Sequence, residues 1–162
     1  MKRFMLGTIA GVTLALVGVI AMDTAPAVAH DHVIKERLDL MRKGVLGNFK
    51  VIKAFVKDGK GSMADVEKAA KGVQAAAAKV PALFPKGTGR PDVDEKKTRS
   101  LAKIWEDWAT FEKANNAMAS HAGAVAAAAA KGDSDGVKKS FGMMGKEGCG
   151  GCHKPFRGPK AK

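Results

Sequence analysis

Apolar residues recur along this chain at steps of three and four, the spacing of one face of a helix. Leu38, Met41, Val45, Phe49, Ile52 and Val56 predict a first helix over 31–57, closed by Asp58-Gly59-Lys60-Gly61. A second helix is predicted over 62–79. Ser62 is its N-cap, and Asp65 stands three residues on in place of the usual Glu of a capping box. Pro81 and Pro85 stop it. A loop rich in Gly, Pro and charge follows over 80–97, long for a compact domain, and is expected to turn Leu83 and Phe84 inward. Leu101, Ile104, Trp108, Phe111, Asn115, Met118, Ala122 and Val125 form a coiled-coil-like seam on a third helix that runs into the alanines before Lys131-Gly132. A fourth helix is expected from Asp133 or Ser134, through Val137, Phe141 and Met144, to about Phe156. No stretch alternates at a period of two, tyrosine is absent and alanine, the best helix former, is abundant. The expected fold is an all-α, antiparallel four-helix bundle.

The first 29 residues stand outside that pattern. Lys2 and Arg3 precede an almost wholly apolar run over 4–22, and Ala27-Val28-Ala29 is an A-x-A cleavage pattern. Residues 1–29 therefore read as a secretory signal peptide, and 30–162 as one domain with periplasmic localisation. The competing reading is an uncleaved anchor, but Gly7, Thr8, Gly11, Thr13 and Gly18 dilute the run. After cleavage no stable membrane insertion is expected.

Charge narrows the range of partners. The full chain carries +12 and, without Lys2, Arg3 and Asp23, the remainder carries +11. Such a surface suits nucleic acid, anionic lipid or an acidic protein. Export argues against nucleic acid, and no basic cluster interleaves with aromatics as a strand-binding groove requires. Acidic redox partner proteins remain.

The two cysteines lie in Cys149-Gly150-Gly151-Cys152-His153, the C-x-x-C-H pattern of c-type haem attachment. Its spacing has a physical reason. Three residues of helix place both thiols on nearly one face, where they can add to the two vinyl groups on one porphyrin edge. His153 then supplies an imidazole to the iron. Gly150 and Gly151 are expected to spare the ring from crowding. A thioredoxin-like dithiol would need a βαβ context, and a structural zinc site wants four ligands. A plain local disulfide is the remaining alternative. The expected cofactor is one covalent haem c with its iron.

With this motif on the last helix of a bundle, the chain resembles the cytochrome c-prime family over nearly its whole length after residue 29. The run from Gly148 to Arg157 is similar to the family's attachment segment, as are Arg37-Leu38-Asp39-Leu40-Met41-Arg42, Leu83-Phe84-Pro85 and Ile104-Trp105. These look most like the low-spin branch, the cytochromes c-556. That resemblance implies Met41 as second axial ligand to iron and Arg37, Phe156 and Arg157 in the haem environment. Met41 otherwise reads as core filler. Met118 is expected in the core, Met63 in solvent and His121 at an edge. Gly44 and Gly47, costly inside a helix, are expected where the first helix approaches the haem or a neighbour closely.

A haem with both axial positions filled leaves no place for substrate. The expected function is accordingly one-electron transfer by a low-spin His/Met haem, not enzymatic catalysis. The alternative is a five-coordinate haem protein that binds nitric oxide or carbon monoxide. The resemblance also allows a homodimer through the first helices.

Overall fold

The computed structural model describes residues 25–161. The apolar run over 4–22 lies outside them, and the expected cleavage point after Ala29 falls inside the first helical segment, Ala25–Asp39. That segment continues through Leu40–Gly47 in π-helical geometry and Asn48–Asp58 in α geometry to make one rod, α1. Gly59 closes it in the left-handed conformation, φ 62°, and its N–H caps the carbonyls of Ala54 and Phe55.

Helix α2 spans Met63–Lys79. Its start follows the expected capping box: the Asp65 N–H donates to Ser62 Oγ, and the Ser62 N–H donates to Asp65 Oδ2. Met63, expected in solvent, instead packs partly buried against the core. Pro81–Leu83 form a single 3-10 turn after α2.

The third helix departs from the seam at its start. A short turn, Lys103–Glu106, is separated from the main helix α3, Trp108–Ala130. Asp107 causes the break: its side chain accepts from the Thr110 N–H and starts a new helix there. Ile104, Phe111, Met118, Ala122 and Val125 are nonetheless buried, as the seam requires. Asn115 is buried too, with Nδ2 donating to the Ala77 carbonyl of α2 at 3.1 Å.

Asp133 caps α4, accepting from the Gly136 N–H at 2.8 Å. This helix runs as Ser134–Met143, a π-helical stretch Met144–Cys149, and Gly150–Phe156. The described residues thus form the expected four-helix bundle, and no helix among them is long and apolar enough to cross a membrane.

Two kinds of packing hold it. The α2–α3 seam is built mainly of small side chains, including buried Ala69, Ala70, Ala76 and Ala77 facing a helix with buried Ala122, Ala126, Ala128 and Ala129. Elsewhere backbones come close through glycine. A Cβ on Gly148 would lie 2.6 Å from Met118 Cα, and one on Gly151 would lie 3.0 Å from Ala114 Cβ. Gly151 therefore serves the α3–α4 contact rather than clearance for a ring. Gly44 approaches Ala76 of α2, as expected, whereas Gly47 faces only its own helix.

Gly148→Ala should force α3 and α4 apart and destabilise the protein by about 1–3 kcal/mol. Gly142→Ala, where a Cβ meets nothing within 4 Å, should gain about 0.5–1 kcal/mol through helix propensity. Thermal melts of the two variants check both signs.

Candidate haem site

Cys149 and Cys152 are free, half-buried and packed against the core. The Cys152 thiol points at the Phe111 carbonyl of α3, 3.8 Å away. Burial raises the pKa of Cys149, and burial together with the neighbouring Cys149 raises that of Cys152 to about 11. A reactive C-x-x-C dithiol has a lowered pKa. These sulfurs have the opposite character, which disfavours the redox-dithiol reading and suits sulfurs that end as thioethers.

His153 turns outward at the end of α4. Partial desolvation lowers its pKa, and the positive charges of Arg157 and Arg99 act in the same direction. All three effects favour the neutral imidazole, the form in which it ligates a metal. Arg157 is exposed, and Arg99 lowers its pKa as well, after desolvation.

Backbone pairing fixes this end of the helix. The Leu101 N–H donates to the Phe156 carbonyl at 3.1 Å and the Gly158 N–H to the Arg99 carbonyl at 2.8 Å. Arg99 Nε donates to the Gly158 carbonyl at 2.7 Å. The long loop therefore clamps the tail of the haem-motif helix. Sequence reasoning missed Arg99 because the contact joins segments almost 60 residues apart and leaves no periodic trace.

Arg37 is buried on α1, and its partners among the described residues are carbonyls and hydroxyls rather than carboxylates. Its Nε donates to the Leu83 carbonyl at 2.8 Å, and Nη1 donates to the Thr88 carbonyl at 3.1 Å and to Ser100 Oγ at 2.9 Å. Nη2 donates to Thr88 Oγ1. The guanidinium also lies 4.1 Å from the centroid of Phe84. Desolvation lowers its pKa to about 10, so it remains charged at neutral pH. Thr88 and Ser100 gave no sign in sequence of serving Arg37.

Aromatic contacts join these residues at one end of the bundle. Phe84 meets Phe111 at 4.8 Å, and Phe111 meets Phe156 edge-on at 5.6 Å. Phe156, expected in the haem environment, lies in the core at this end of the bundle. The Trp105 indole N–H donates to the Phe84 carbonyl at 2.8 Å. Met41 is half-buried in the π-helical part of α1, packed against the core with Leu40, Val45 and Phe49. His121, expected at an edge, is half-buried and lies 2.9 Å from Glu147.

These features fit a haem. Half-buried apolar side chains on α1 and the two sulfurs on α4 all pack against one core while staying partly uncovered, the surroundings an apolar ring requires. Arg37 supplies a buried positive charge with no anionic partner among the described residues; four of its five N–H groups are committed to the loop, which leaves one for a propionate. Among the described residues no three or more His, Cys, Asp or Glu side chains cluster to hold a metal ion. A porphyrin brings four nitrogens of its own, so iron within it needs only axial ligands from the chain.

The family model described as Cytochrome C' matches residues 32–157. The chain belongs to the cytochrome c′ family. Its cofactor is therefore covalent haem c with iron. Cytochrome c′ from Thermochromatium tepidum is 29% identical, with a TM-score of 0.70 over 80% of this chain and 97% of that one. A cytochrome c′ described for ligand-controlled dimer dissociation is 28% identical, with a TM-score of 0.69 over 80% and 97%. A nitric oxide complex of a point variant from Alcaligenes xylosoxidans is 23% identical, with a TM-score of 0.68 over 80% and 97%. No curated protein sequence is significantly similar. These relatives are cytochromes c′; none of them bears on the narrower c-556 resemblance.

Proposed function

We propose that this cytochrome c′ is exported to the periplasm, cleaved after Ala29, and binds nitric oxide or carbon monoxide at its haem iron. Cys149 and Cys152 hold the porphyrin by thioethers, and His153 is the axial ligand from α4. When bound, the haem supplies an iron centre that accepts a small diatomic ligand. The chain's part is to favour the neutral form of His153, to surround the ring with apolar side chains and to offer the remaining N–H of Arg37 to a propionate. The observation that carries this reading is the C-x-x-C-H run on the last helix of a bundle whose solved relatives include nitric oxide and carbon monoxide complexes.

The second reading is the low-spin His/Met electron carrier, and it rests on Met41. A thioether stands half-buried on α1, four residues after Arg37, where it could fill the sixth position. The comparisons favour gas binding over this reading, while Met41 is this chain's own argument for it. An electron carrier with a charge of +11 would be steered to acidic partners at a rate that falls as salt rises. Leu46 and Val51, exposed on α1, suit a homodimer through that helix.

Visible spectra of the oxidised and reduced holoprotein, with and without added nitric oxide, separate the two. High-spin spectra and a ready nitrosyl complex support the first reading. A low-spin spectrum with an iron–sulfur band, unchanged by nitric oxide, supports the second. If Met41 is bound, Met41→Ala converts low-spin to high-spin and lowers the reduction potential. An unchanged spectrum removes Met41 from the iron.

A further inference from the structure

We infer that the processed N-terminus is a copper(II) site, built from the His30 α-amine, the Asp31 and His32 amide nitrogens and the His32 imidazole. The inference rests on the proposed cleavage after Ala29, which makes His30-Asp31-His32 the first three residues.

A histidine in third place allows one imidazole Nδ1, two backbone nitrogens and the terminal amine to close fused five-, five- and six-membered chelate rings. Four nitrogens in a plane match copper(II) or nickel(II), and copper(II) stands above nickel(II) in affinity for such donors. Binding releases the two amide protons, together with any proton on the amine, and changes no oxidation state. The two amide anions balance the charge of the metal.

The structure shows why these amides become available. Within Ala25–Asp39 the N–H groups of Asp31 and His32 occupy helical positions whose acceptors are the carbonyls four residues earlier, on Ala27 and Val28. Cleavage removes both acceptors, and the new first turn has unpartnered N–H groups. Unwinding that turn disturbs little packing: Asp31 and His32 are exposed, His30 is half-buried with its ring beside Gly87, and Ile34 is the first buried residue from His30 onward. His32 Nδ1 has only a loose partner, Glu36 Oε2 at 3.8 Å. The Asp31 carboxylate points elsewhere, paired with Lys97 Nζ at 2.9 Å, so it does not compete for the metal. Clusters of side chains do not reveal this site, since three of its four donors belong to the backbone.

The test uses the exported holoprotein, with intact mass fixing its first residue. Copper(II) is added in the presence of excess glycine as a competing chelator, and bound copper is counted by native mass spectrometry. Paramagnetic resonance reads the nitrogen couplings apart from the haem signals. The expected result is one copper per chain with four nitrogen donors. Two variants should bind none: His32→Ala, and three glycines inserted between Ala29 and His30, which keep every side chain but move His30 and His32 to fourth and sixth place, beyond the reach of the terminal chelate. Copper retained by the insertion variant would overturn the site in favour of ordinary imidazole binding. A terminus at His30 without copper overturns the chelate alone, whereas a terminus elsewhere overturns the cleavage point and the chelate with it.

Discussion

Cys149→Ala combined with Cys152→Ala is expected to yield a protein from which acidic acetone extracts all porphyrin, with an intact mass equal to the bare chain. Each single variant should keep one thioether and hold its haem against the same extraction. The folding consequence is also large. Leu40, Met41, Val45 and Phe49 pack on the core while staying partly uncovered, so losing the ring returns apolar surface to water at roughly 25 cal/mol per Å². Bound haem stabilises the folded state by mass action, and its loss removes that term as well. A fall of the melting midpoint by about 10 °C or more is expected. Porphyrin mass that survives in the double variant would refute covalent attachment through these sulfurs.

Arg37→Leu is the second large effect. The guanidinium satisfies the carbonyls of Leu83 and Thr88 and the hydroxyls of Thr88 and Ser100, tying α1 to the long loop. Leucine fills similar volume but leaves those acceptors without a donor, at about 1–3 kcal/mol for each that stays dry. A net loss of about 3 kcal/mol, or about 10 °C in the melting midpoint, is expected by circular dichroism. Arg37→Lys should recover little, because an ammonium cannot present the planar fork that reaches four acceptors. Recovery of wild-type stability by lysine would show that charge alone, and not the fork, is what the loop needs.

The bundle was legible because helical spacing of apolar residues is a local signal, and so were its caps: Ser62 with Asp65, Gly59 and Asp133 all act as the sequence suggests. The haem attachment run was legible because its chemistry sits within five consecutive residues. What escaped depends on distance or on register. Asp107 splits the third helix through a single side-chain bond that a continuous seam hides. The π-helical stretches Leu40–Gly47 and Met144–Cys149 change the number of residues per turn at the very segments that carry Met41 and Cys149. Such stretches recur at functional sites, and a fixed period of 3.6 cannot register them. Arg99, Thr88 and Ser100 take their roles from a loop folded back on the helix ends, and no pattern within the loop announces that. Gly151 serves a helix contact where its place in the motif suggests the ring, because two neighbours of a small residue cannot be told apart before the fold is known.

The glycine contacts divide the molecule mechanically. Gly44 meets Ala76 across α1 and α2, while Gly148 and Gly151 lock α4 to Met118 and Ala114 of α3. Each pair is geared, since sliding one backbone past the other would drive atoms into collision. The interface between the pairs is pinned differently: Asn115 of α3 donates to the Ala77 carbonyl of α2, and Gln74 of α2 packs at Gly123 of α3, amid a run of methyl groups. The molecule is thus two stiff hairpins, one bearing Cys149 and Cys152 and the other Met41, held in register across α2 and α3 by these pins. The register of the two hairpins therefore sets how far the sulfur of Met41 stands from those of Cys149 and Cys152, and enlarging an alanine in the seam would change that spacing without touching either segment.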